Sequence, residues 1–129
     1  MSTALGYGSG GMKDFDIKRL DDTVQVHLQL CGDLDLYRAP AFDDALVEVE
    51  GEKWPTIVLD MRKLEFLDSM ALRLIMRTQA RAKQDGRRLL IVRGPAFLDR
   101  VLNLSGLTEH LEIVDEPPAV DLSPSDTAA

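Results

Sequence analysis

The sequence predicts an α/β sandwich in which a mixed sheet of four to five strands packs with about three to four helices. Three observations carry this. In residues 24–30, Val24, Val26, Leu28 and Leu30 alternate strictly with Gln25, His27 and Gln29, the pattern of a strand with one buried and one wetted face. Residues 56–59 and 89–92 are short, continuous apolar runs, as expected of strands covered on both faces. Between and after these runs, apolar residues recur at helical spacing in three stretches.

In chain order, residues 15–19 read as a first strand, and Asp21-Asp22 as the turn of a hairpin. The alternating strand follows and places His27 on the wet side. After a turn at Gly32, residues Ala39, Phe42, Ala45, Leu46 and Val49 follow helical spacing, with Pro40 tolerated in the first turn. Residues 56–59 make a central strand, and a short turn-rich link leads to Asp68-Ser69. The helix opening there ends near Asp85-Gly86, where glycine suits a left-handed stop. Residues 89–92 form the next strand. Pro95 then starts a helix carrying Phe97, Leu98, Val101 and Leu102, and residues 112–114 read as an optional edge strand. A hairpin start followed by crossover helices implies parallel pairing from the third strand onward. Residues 1–13, with Gly6, Gly8, Gly10 and Gly11, read as a flexible segment, and residues 116–129, with Pro117, Pro118 and Pro124, as a disordered tail.

Composition narrows the function. The 129 residues suffice for one domain with its own core. A net charge of −7 argues against sequence-independent binding to nucleic acid, which depends on neutralising phosphates. The single Cys31 has no partner for an intramolecular disulfide and reads as a buried, inert thiol. No run approaches the ~20 apolar residues of a membrane span, and the first residues lack a secretory pattern, so the chain reads as cytoplasmic. No glycine-rich phosphate loop, dinucleotide fingerprint or nucleophile elbow is present. His27 and His110 have no metal partner at helical or loop spacing, and no base is evident for Ser69. The chain therefore reads as a non-enzyme without catalytic residues, cofactor or metal.

The most informative stretch is 59–72. Ser69 stands where an N-cap belongs, just before the apolar periodicity of Leu72, Ile75 and Met76. A serine there, beside Asp68, either caps the helix or serves as a charge switch, since a phosphate would add about −1.5 to −2 charges at one spot. Arg73, Arg77 and Arg81 follow at four-residue spacing. Like charges so placed do not help an isolated helix. The stripe is either a solvated face paired with carboxylates or a contact for an acidic partner, and Arg73 lies one turn from Ser69.

Ile57-Val58-Leu59-Asp60 through Asp68-Ser69-Met70-Ala71-Leu72 resembles the STAS domain, in its anti-sigma factor antagonist family. Gly32-Asp33-Leu34-Asp35 with Ala39-Pro40-Ala41-Phe42 is similar to that family's first turn and helix, and Leu102-Asn103-Leu104-Ser105-Gly106-Leu107 to the end of its third helix. The resemblance covers residues 14–115 and implies a STAS-like sandwich. It departs at Met70 and Ala71, where the family pattern has Ser or Thr and then Gly.

What the resemblance implies is regulation of transcription by partner switching. Unphosphorylated, such a domain binds an anti-sigma factor that is also a serine kinase. Phosphorylation of the residue matching Ser69 releases it, and a serine phosphatase resets it. Asp33, Asp35, Asp68 and Met70, together with Arg73 and Arg77 of the stripe that is local to this chain, are the expected partner-binding residues, and topology with resemblance places Asp35, Asp60 and Ser69 in one cluster. The aspartates also have a local reading, as residues that hold turns and helix starts. The alternative function is an unphosphorylated STAS scaffold subunit of a transporter or signalling assembly, which the bulky Met70 beside Ser69 favours.

Overall fold

The computed structural model describes residues 14–119. β1 (Asp16–Asp21) and β2 (Gln25–Leu34) form an antiparallel hairpin. Its turn is held by Asp22, whose Oδ1 accepts from the amides of Val24 (2.7 Å) and Gln25 (2.8 Å). Then come α1 (Ala39–Gly51), β3 (Thr56–Leu67), α2 (Ser69–Asp85), β4 (Arg88–Val92), α3 (Ala96–Leu104), a short 3-10 turn (Leu107–Glu109) and β5 (Glu112–Val114). The sheet runs β1-β2-β3-β4-β5 and is parallel from β2 onward. It is the mixed α/β sheet with three helices that the periodicities imply, with the optional fifth strand present.

The alternation of β2 decides which face is which. Val26, Leu28 and Leu30 join Ile57 and Leu59 of β3 and Leu89 and Ile91 of β4 in one core cluster. Phe42 and Leu46 of α1, Leu74 and Ile75 of α2, and Leu98 and Leu102 of α3 complete it, so all three helices pack on this face. On the opposite face Val58, Leu90 and Val92 form a smaller cluster with Val114. Beyond β5, Arg93 Nε pairs with Asp115 Oδ1 (2.8 Å), and Gln25 Nε2 donates to the carbonyl of Ala119 (3.3 Å). Residues 115–119 thus return from one edge of the sheet to β2. The segments 1–13 and 120–129 lie outside the described residues.

Three sequence expectations are corrected. First, the link after residue 59 is not a turn. β3 continues as extended chain to Leu67, with Leu64 and Leu67 buried against the helices while Arg62, Lys63 and Glu65 face solvent. Those charges gave the segment its turn-like look.

Second, Gly32 lies inside β2. It has φ +89°, and the β2–β3 register shifts on both sides of it, between Gln29 and Cys31 and between Gly32 and Asp33. A Cβ at this position would lie 1.8 Å from the carbonyl oxygen of Asp14, so both the backbone conformation and the space demand glycine.

Third, His27 is buried, because its ring meets a carboxylate on the neighbouring strand. Cys31 is half-buried, and desolvation pushes its thiol pKa up, as for an unreactive cysteine.

Candidate functional site

The C-terminal ends of β2 and β3 lie side by side, with Asp33 opposite Phe66 and Leu34 opposite Leu67. The Asp68 amide donates to the Leu34 carbonyl at 3.3 Å, and α2 starts at the next residue. Asp68, not Ser69, is the N-cap. Its backbone is extended (φ −101°, ψ 179°), and its Oδ1 accepts from the amides of Met70 (3.0 Å) and Ala71 (3.1 Å). Ser69 is therefore the first helical residue. Its side chain is exposed and free of any capping duty.

Asp35 organises the facing turn. Its Oδ1 accepts from the amides of Tyr37 (3.0 Å) and Arg38 (3.1 Å), and its Oδ2 from Arg38 Nη1 (2.6 Å). Both residues are buried. The carboxylate expected at a partner contact is thus turned inward, where it shapes the loop between β2 and α1. At the tip of that loop stand Leu36 and Tyr37, 56% and 77% exposed, and Phe66 at the end of β3 is 45% exposed. Sequence reasoning missed Tyr37 and Phe66 as surface groups. Large apolar side chains on a shared exposed end are the mark of an interaction patch. Met70 is half-buried and packs onto the core, so it does not stand over Ser69 as a free obstacle.

The arginine stripe divides. Arg81 pairs with Glu50 of α1 (2.9 Å). Arg73 and Arg77 are exposed and have no ion-pair carboxylate among the described residues. The buried face of α2 is Ala71, Leu74, Ile75, Thr78 and Ala82, with Leu72 and Met76 only partly covered. The helix ends at Gly86 in the left-handed conformation (φ 72°), as its sequence predicts.

Asp60 does not join this cluster. It lies in mid-strand opposite Gln29 and Val92, eight residues before Asp68 along β3. Its Oδ2 meets His27 Nε2 (3.1 Å) and Arg62 Nη2 (2.8 Å), and its Oδ1 accepts from Arg62 Nε (2.9 Å) and N (3.1 Å). Burial alone would raise its pKa. The guanidinium and amide of Arg62 together with His27 more than offset that, and the carboxyl is held below its usual range. His27 is thus tied to Asp60, while His110 shares a groove with Met76, Gln79 and Lys83 in the later half of α2. Neither histidine is placed as a base for Ser69. Among the described residues, no group of three or more His, Cys, Asp or Glu side chains could hold a metal, and no helix is long and apolar enough to cross a membrane.

Comparison with known proteins agrees with this architecture. The family model described as "Mlab, STAS domain" matches residues 19–115. The chain is 30% identical over 86 residues to the anti-sigma-F factor antagonist RsfB of Mycobacterium tuberculosis, covering 67% of this chain and 70% of that protein. Among solved structures, it is similar to an anti-sigma factor antagonist from Mycobacterium paratuberculosis, with a TM-score of 0.70 and 26% identity over 80% of this chain and 87% of that one. The fold is also shared with the unphosphorylated form of the anti-sigma factor antagonist SpoIIAA (TM-score 0.66, 18% identity, 79% and 89% covered). The family model spans most of the described residues, and the relatives matched in sequence and in fold are anti-sigma factor antagonists: the chain belongs to the STAS domain family, in its anti-sigma factor antagonist branch.

Proposed function

We propose that this protein is a phosphorylation-controlled anti-sigma factor antagonist of the cytoplasm that regulates transcription by switching partners. Unphosphorylated, it binds an anti-sigma factor that is also a serine kinase, and so frees a sigma factor. The kinase transfers the γ-phosphoryl of ATP to Ser69 Oγ, the hydroxyl proton leaves, ADP departs and the complex separates. A serine phosphatase hydrolyses the ester and restores binding.

The observation that carries this reading is the position of Ser69. It is exposed, at the first helical residue, beside the patch of Leu36, Tyr37 and Phe66 and ahead of Arg73 and Arg77, which have no ion-pair carboxylate among the described residues. A dianion placed within such an apolar contact must be desolvated, which is unfavourable unless the partner supplies cations. Because Asp68 already holds the helix cap, Ser69 is available for modification without loss of the cap. Asp35 contributes by shaping the Leu36–Tyr37 loop, and Asp33 and Asp68 by flanking the contact.

A second reading rests on one feature, the Met70-Ala71 pair, which stands where the resembled pattern has Ser or Thr and then Gly. In it the same patch is a static contact of an unphosphorylated scaffold subunit. The deciding experiment is intact mass and phosphopeptide mapping after incubation with ATP and the candidate kinase. Phosphate on Ser69, with Ser69→Asp losing the kinase and Ser69→Ala retaining it, supports the switch. A tight complex with no label on Ser69 supports the scaffold.

A further inference from the structure

We propose that Arg73 is the intramolecular counter-ion of a phosphate on Ser69, so that phosphorylation both adds negative charge and withdraws a cation from the partner-facing surface. This rests on the reading of Ser69 as the phosphorylated residue. Four features of the structure carry it.

Ser69 and Arg73 are four residues apart on α2, hence neighbours on one face. Helical side chains lean toward the helix N-terminus, so the Arg73 side chain covers the turn that begins at Ser69. Arg73 is exposed and has no carboxylate partner among the described residues, unlike Arg81, which Glu50 holds. Finally, two of the amides that a phosphate at a helix start would otherwise use are taken, because Asp68 Oδ1 accepts from both Met70 and Ala71. A phosphate on Ser69 thus sits beside the Asp68 carboxylate with no free amide from that pair. The guanidinium of Arg73 is the nearby donor that matches its geometry, a planar fork of N–H groups facing three oxygens.

The consequence for regulation is specific. In the unphosphorylated protein Arg73 is free to meet an acidic partner surface. In the phosphorylated protein it is engaged one turn back along its own helix, so the surface gains an anion at Ser69 and loses a free cation at Arg73.

The test installs phosphoserine at position 69 of the full chain by genetic encoding, so that no kinase is required. The second ionisation of the phosphate, near 6 for an unperturbed ester, is followed by phosphorus NMR. Arg73 favours the dianion, so Arg73→Gln should raise that pKa by roughly half a unit, and Arg73→Lys should restore most of the shift. Arg77→Gln is the control. It lies two turns from Ser69, about 12 Å along the axis, and should leave the titration unchanged. Equal titration in the Arg73→Gln and parent proteins overturns the clamp, as does a shift of the same size from Arg77→Gln. Because the phosphate is encoded, this failure is separate from that of the switch, which falls only if a kinase leaves Ser69 unlabelled.

Discussion

The amide of Asp68 donates to the carbonyl of Leu34 at 3.3 Å, so the helix carrying Ser69 is hung from the end of the neighbouring strand. The position of the serine is therefore set by backbone and by its neighbour's carboxylate, and its own hydroxyl is spare. Asp68→Ala should destabilise the protein by about 1 kcal/mol through the lost cap, and Asp68→Asn by less, since asparagine also caps well. Ser69→Ala should stay within about 0.5 kcal/mol of the parent. Urea unfolding of the three variants checks this. A Ser69→Ala loss equal to that of Asp68→Ala would return the cap to the serine.

The apolar end of the sheet makes a separate prediction. Tyr37→Ala and Phe66→Ala, at positions 77% and 45% exposed, should leave unfolding nearly unchanged. Each should weaken binding of the proposed kinase partner by about 1–2 kcal/mol, as aromatic anchors at interfaces do. Calorimetric titration against the unphosphorylated protein measures the loss.

Reversing both exposed arginines, with Arg73→Glu and Arg77→Glu, should slow association with an acidic partner while the thermal midpoint holds. The effect should shrink as salt rises, because exposed charges act mainly on encounter. Stopped-flow association at two ionic strengths is the measurement. An unchanged rate at low salt in a folded double variant would make these arginines a solvated face.

Asp60 gives the protein an acid limit. Its folded pKa is below the unfolded value of about 3.9, so its contribution is fully present above that pH and is lost as pH falls through the folded value. Asp60→Asn should lower stability near pH 7 by about 1–3 kcal/mol, since it weakens the bonds to Arg62 and His27. It should also flatten the fall in stability below about pH 4. Unfolding midpoints across a pH series test both statements.

Gly32→Ala should be the most damaging single-methyl change in the sheet. The new Cβ would meet the Asp14 carbonyl oxygen at 1.8 Å in a backbone with φ +89°. A loss of about 2 kcal/mol or more, seen as a lower urea midpoint, is expected. Gly86→Ala, with the same sign of φ but open space around it, should cost about 1 kcal/mol.

What the sequence made legible follows from the range of each signal. The β2 alternation and the α2 periodicity are local, and both elements emerged within a few residues of their structural limits. The burial of His27 was not legible, because its partner Asp60 is 33 residues away and becomes a neighbour only through the β2–β3 register. The same register removed Asp60 from the Ser69 cluster, since β3 runs on to Leu67. Between Asp68 and Ser69, both good capping residues, only the backbone angles decide. Tyr37 and Phe66 were hidden for a related reason. An apolar residue reads as core until topology shows that its strand or loop has run past the last helix.

One further consequence comes from β1, which forms an edge of the sheet. On the proposed partner switching the protein must show an apolar patch to water, and an open strand edge would add a route to indiscriminate self-assembly. Asp16, Lys18, Arg19 and Asp21 place four charges in the six residues of that strand, and Arg19 is fastened to Asp21 and to Glu52 beyond α1. A second molecule laying a strand there would have to disrupt that pairing and bury its charges. The edge thereby discourages polymerisation, and the exposed Leu36, Tyr37 and Phe66 can stay available at high concentration without drawing the molecules into fibres.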